Sequence, residues 1–109
     1  MDANALNSVR LAGEITAIES LRYTPAGLPL VNFKLTHRSQ QFEAGIERQT
    51  ELEVGVVAVG DIAAAVAKFH VGDKVTIQGF LAARRRMGAQ LGTQLVLHVT
   101  HITPLQQSD

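Results

Sequence analysis

A chain of 109 residues, 46 % hydrophobic and 18 % charged, carries enough apolar surface for one packed core, which excludes a disordered chain. It has no cysteine, so disulfide frameworks, thiolate metal sites and cysteine nucleophiles are excluded together, as suits a reducing compartment. Ten Lys and Arg balance ten Asp and Glu; because charges are screened within about 8 Å at physiological salt, placement matters more than this zero sum.

Val9, Leu11, Gly13 and Ile15 alternate with Arg10, Ala12, Glu14 and Thr16, the period of two that predicts a half-buried strand, with Gly13 marking a bulge or bend. Tyr23-Thr24-Pro25-Ala26-Gly27 reads as a turn, since Pro25 pre-sets φ and Gly27 tolerates positive φ. A second strand is predicted over residues 30–37, with Val31, Phe33 and Leu35 facing inward. Residues 38–45 are polar and end in glycine, a loop or hairpin tip, and residues 49–59 form a valine-rich third strand. At residue 61 the period changes. Asp61 as N-cap, three consecutive alanines, and the stripe Ile62, Val66 and Phe69 predict a helix over 61–69. Val71-Gly72-Asp73 then turns into a fourth strand over 74–82. Residues 84–90 read as another loop, and 95–102 supply a fifth strand. Five strands with a short helix between the third and fourth is the order of the OB fold. The expected class is therefore all-β, a five-stranded Greek-key barrel, with residues 1–109 as a single domain whose ordered core spans about 7–105.

No catalytic constellation is legible. The glycines sit singly, with no phosphate loop of the G-x-x-x-x-G-K type. His98 and His101 lie three apart on a predicted strand, which assigns them to opposite faces and denies them a shared metal. Glu43, Glu47, Glu51 and Glu53 read as a solvated hairpin face. The expectation is a non-enzyme without cofactor or metal. A binding protein fits better. OB barrels take oligonucleotides on the face of their second and third strands, flanked by the first and last long loops. Those regions carry Arg22, Tyr23, Lys34, Arg38 and Arg48, then Arg84, Arg85 and Arg86, and arginine pairs with phosphate through two bonds. Single-strand binders also stack bases on aromatic rings. With no Trp, one Tyr and four Phe, and with Phe33, Phe69 and Phe80 assigned to strands and helix, Tyr23 and Phe42 are the candidates. Binding should be mainly electrostatic. The start lacks the basic and apolar segments of a signal peptide, and no apolar run approaches the ~20 residues of a membrane helix, so a soluble, cytoplasmic protein is expected.

Several motifs lie together across most of the chain: Asn7-x-Val9-x-Leu11-x-Gly13, Arg22-Tyr23-Thr24-Pro25-x-Gly27, Phe33-x-Leu35 and Val71-Gly72-Asp73-x-Val75-x-Ile77-x-Gly79-x-Leu81. In these the sequence resembles the bacterial single-stranded DNA-binding protein family. Within it, His37-Arg38-Ser39, Glu43-Ala44-Gly45-x-x-Arg48-Gln49, Val75-Thr76-x-Gln78-Gly79-Phe80 and Leu95-Val96-Leu97-His98 are most similar to primosomal replication protein N, the PriB type. The resemblance implies a homodimer of OB folds that binds single-stranded DNA, the primosomal helicase PriA and other primosome proteins during replication restart. It implies DNA contacts at Arg22, Arg38, Arg48 and Arg85, with Arg84 and Arg86 beside them. Ile46 and Glu51 stand where some relatives carry aromatics, and Met87 and Gln94 where some carry lysines. These departures favour the rival reading, a protein–protein adaptor with marginal DNA binding.

Overall fold

The computed structural model describes residues 5–86 and 92–105. Among these residues, six strands and one helix run in the order β1 (Val9–Ile18), β2 (Arg22–Tyr23), β3 (Pro29–Glu43), β4 (Ile46–Val59), α1 (Asp61–Val66), β5 (Lys74–Arg86) and β6 (Gly92–Pro104). The sheet order is β1-β5-β6-β4-β3-β2, and a further β1–β3 pairing closes five of the strands into a barrel. This is the OB fold expected from the element order. All of these pairings are antiparallel except β4 with β6.

Closure depends on β1 serving two neighbours. From Val9 to Glu14 it pairs with β5, and from Glu14 to Ile18 with β3. The register shift falls between Ile15 and Ala17 rather than at Gly13. Gly13 is there for a different reason: a Cβ on it would lie 2.5 Å from the Thr36 carbonyl oxygen and 2.9 Å from Leu35 Cγ. Its missing side chain lets β3 cross close over β1. Asn7 extends the same strand, its side-chain amide donating to Leu81 O at 2.8 Å and accepting from Leu81 N at 2.9 Å.

The core is the inward half of the period-two pattern. Ile15, Val31, Phe33, Leu35, Val56, Ala58, Val75, Ile77, Leu97 and Val99 are buried together, and no polar or charged side chain is buried among the described residues. The helix closes one end of the barrel with Ala63 and Val66, while Ile62 and Phe69 pack against the core. It ends at Val66, short of the expected Phe69, and its N-cap is Gly60 (φ 87°), with Asp61 as the first helical residue.

Of the segment expected as a loop or hairpin tip, only Ala44-Gly45 is the tip, and of the second expected loop, 84–90, residues 84–86 are strand while 87–90 lie outside the described residues. Residues 38–43 continue β3, residues 46–48 begin β4, and the ribbon turns through Ala44 (φ 54°) and Gly45 (φ 76°). Two consecutive positive φ values define the type I′ turn that matches strand twist. Residues 84–86 likewise continue β5, opposite Gln94, Thr93 and Gly92. Tyr23, expected to open a turn, pairs with Pro29.

Two substitutions test these backbone requirements. Ala44→Asn, which suits the left-handed region, should raise stability by about 0.5–1 kcal/mol in denaturant unfolding. Gly13→Ala should cost about 3 kcal/mol, because its obstacle is backbone rather than a side chain that can turn away. A neutral result at Gly13 would show that β1 and β3 do not approach as described.

Candidate nucleic-acid interface

The β3–β4 ribbon carries most of the expected contacts, and its register sorts them by face. In an antiparallel pair, residues directly opposite share a face and neighbours alternate. Lys34 lies opposite Gly55, Arg38 opposite Glu51 and Phe42 opposite Glu47, all in the parity that faces away from Phe33 and Leu35. Arg48 lies opposite Gln41, in the other parity. Arg38 and Arg48, expected on one side, are therefore on opposite faces of the ribbon.

Each of these cations has a carboxylate on the facing strand. Lys34 Nζ is 3.7 Å from Glu53 Oε1, Arg38 Nη2 is 3.5 Å from Glu51 Oε1, and Arg48 Nε is 2.6 Å from Glu43 Oε1. Of the four glutamates expected to form a solvated face, all are exposed, and Glu43, Glu51 and Glu53 are also the counter-charges of these basic residues. All six side chains are exposed, and exposed pairs are worth only about 0–1 kcal/mol. Exchanging a carboxylate for a phosphate costs little.

On the outer face a groove of about 260 Å³ crosses the barrel from the end of β1 to the far ends of β5 and β6. Its walls carry Lys34 and Arg84, its floor includes Gly55 and the buried Val96, and Glu19 and Asn32 line one side. Arg84 belongs here because β5 runs beyond the barrel as strand, opposite Gln94. The side chains of Arg85 and Arg86, and Met87 entirely, lie outside the described residues. Arg22 and Tyr23 form β2, exposed beside the groove's β1 side. Tyr23 is 69 % and Phe42 74 % exposed, so both rings are available for stacking. They flank opposite ends of β3, thirteen residues apart in register, a span of roughly 40 Å.

A second, wider cleft lies where the ribbon leaves the barrel, lined by Thr36, His37, Arg38, Glu51, Lys74 and the 12–14 segment of β1. His37 fixes this junction, with Nδ1 2.6 Å from Ala12 O and Nε2 2.7 Å from Ser39 Oγ. Reading the sequence missed Lys74 here, and Asn32 and Gly55 in the first groove. Alternation turns them outward, but only the pairing register brings them into these clefts.

His98 and His101 also depart from expectation. The β5–β6 ladder shifts register between Gln78 and Gly79, so His98 faces Phe80, His101 faces Gln78, and Thr100 is the extra residue. Both histidines therefore lie on the outer side, with His98 stacked on Phe80 at 4.9 Å. No cluster of three metal-ligating side chains occurs among the described residues. No helix there is long and apolar enough to cross a membrane.

Comparison with known proteins identifies the family and agrees with the fold. A profile described as another single-strand binding protein family matches residues 7–101. Replication restart protein PriB of Nitrosomonas europaea is 45 % identical over 93 residues, covering 85 % of this chain and 82 % of that protein. PriB of Photorhabdus laumondii is 33 % identical over 104 residues, covering 94 % and 97 %. Among solved structures, PriB of Ralstonia solanacearum superposes with a TM-score of 0.79 at 31 % identity, covering 94 % of this chain and all of that one. A variant of the single-stranded DNA binding protein from Thermus aquaticus gives 0.76 at 26 % identity, covering 93 % of this chain and 51 % of that one. The chain belongs to the PriB replication restart proteins, within the single-strand binding protein family.

Proposed function

We propose that this protein binds single-stranded DNA along the outer face of β3 and β4 and acts as an accessory factor of replication restart. One observation carries the reading: the outer-face groove brings Lys34 of β3 and Arg84 of β5 to the two sides of an OB barrel, the surface on which such barrels take oligonucleotides. Arg38 continues the basic track along β3, and Lys74 joins it in the second cleft. Phe42 and Tyr23 offer stacking at the two ends. Arg22 and Arg85 are proposed as further phosphate contacts and Arg86 as their neighbour, whereas Arg48 contacts DNA only where the strand passes around the ribbon. The protein is not an enzyme, as its family is one of DNA-binding proteins. A cytoplasmic location accompanies this role.

Partners follow from the same surfaces. Phe42 and Ile46 near the ribbon tip and Leu95 on β6 are exposed apolar side chains, and they support a protein contact, which we assign to the primosomal helicase PriA. A homodimer is supported by β1, whose residues 9–13 pair with β5 on one edge and have no strand on the other among the described residues. An unpaired edge is a template for a second strand.

Fluorescence anisotropy with labelled oligo-dT at several salt concentrations tests the DNA reading. Each phosphate contact on a single strand contributes about −0.7 to the slope of log affinity against log salt. Arg84→Ala should weaken binding and flatten the slope by about that amount, while Glu51→Gln with Glu53→Gln should strengthen binding by removing competing carboxylates. An affinity indifferent to salt and to all three substitutions would favour the adaptor reading. Sedimentation equilibrium showing only an 11.7 kDa species at micromolar concentration would contradict the homodimer.

A further inference from the structure

Gly55 sits in the interior of β4, where glycine costs roughly 0.5–1 kcal/mol relative to alanine. Six other glycines have internal reasons. Gly27, Gly45, Gly60 and Gly72 take positive φ, and Gly13 and Gly79 face backbone atoms that a Cβ would strike. At Gly55 neither holds: its φ is ordinary, and a Cβ built there would meet nothing within 4 Å. A strand glycine without an internal reason marks a place where something from outside approaches the backbone. Gly55 opens into the outer-face groove, between Lys34, its partner in register, and Val96.

A second observation lies in the same groove. Asn32 Oδ1 is shielded from solvent and accepts no hydrogen bond, a condition that costs about 1–3 kcal/mol. The terminal torsion of asparagine is broad, so turning the amide presents this acceptor to a donor in the groove. At about 260 Å³ the space falls below the roughly 300–1,000 Å³ of sites for drug-sized ligands and suits one small planar group.

We propose that the groove at Gly55 seats a single nucleobase, laid flat on the β4 backbone, with Asn32 Oδ1 accepting from its N–H edge and Lys34 and Arg84 holding the adjoining phosphates. The inference rests on the single-stranded DNA reading above and adds a base-dependent subsite to it. It gives a chain without tryptophan a place for base contact that needs no aromatic ring.

The test compares labelled oligo-dT with an abasic sugar-phosphate oligomer of equal length, by anisotropy. The parent should bind oligo-dT about tenfold more tightly, the scale of one well-seated base. Gly55→Val puts into the seat a side chain whose Cβ meets nothing within 4 Å and keeps a good strand former. It should lose about that tenfold on oligo-dT and nothing on the abasic oligomer. Asn32→Leu should lose a smaller part in the same pattern, and Arg84→Ala should weaken both ligands alike. Unfolding curves confirm that each variant is folded, and Gly55→Ala, a smaller plug, should give an intermediate loss. If Gly55→Val and Gly55→Ala bind oligo-dT like the parent while Arg84→Ala weakens it, the seat is wrong and the DNA reading stands. If Gly55→Val changes the sedimentation mass instead of the affinity ratio, the open space belongs to a second copy and the seat is overturned. If the parent binds neither oligomer, both the seat and the DNA reading fall.

Discussion

One strand has to belong to both halves of the barrel, and the rest of the molecule follows from how β1 manages it. Its first six residues lie beside β5 and its last five beside β3, with Glu14 shared. The crossing is tight enough that Gly13 lies against the Thr36 carbonyl with no room for a methyl group. Closing the sheet there turns the inward parity of every strand onto a single apolar core. It also sets the end of β1 and the extension of β5 across from the outer face of β3 and β4. The groove containing Lys34, Gly55 and Arg84 is a product of that closure; no single strand contains it.

Charge is organised at a shorter range than the whole chain. A net charge of zero coexists with three cross-strand ion pairs on the ribbon, Lys34 and Arg38 of β3 with Glu53 and Glu51 of β4, and Arg48 of β4 with Glu43 of β3, each directly opposite or one step diagonal. Pairs this exposed add little to stability. They keep the ribbon from presenting an unscreened basic stripe, and phosphate must displace glutamates to bind. On the proposed reading, DNA is then held somewhat more weakly than by a basic strip that is unopposed.

Much of this was legible in the sequence, for a physical reason: an inward face repeated every second residue leaves Val31, Phe33 and Leu35, or Val75 and Ile77, as a visible alternation. The ribbon beyond residue 37 projects past the core, so neither face is apolar and the alternation vanishes although the strand continues. Residues 84–86 are three arginines, so the extension of β5 carries no apolar alternation either. The turn at Ala44-Gly45 did carry the missing information. With the tip fixed there, counting outward places Arg38 against Glu51 and Arg48 against Gln41, and the two arginines separate onto opposite faces. Thr100, the extra residue of β6, gave no such signal, and without it the faces of His98 and His101 are misassigned. Nor can composition distinguish Gly13 and Gly79, required by neighbouring backbone, from Gly55, which faces open space.

The central claim is that the outer face of β3 and β4 is where single-stranded DNA lies. Amide chemical-shift mapping with a short oligonucleotide tests it most directly, because it locates contacts without altering a residue. The account predicts perturbations at Asn32, Lys34, Gly55, Arg38 and Arg84, with Gln41, Arg48 and the α1 residues Asp61–Val66 little changed. Shifts confined to α1, or to the Gln41–Arg48 face of the ribbon, would contradict it.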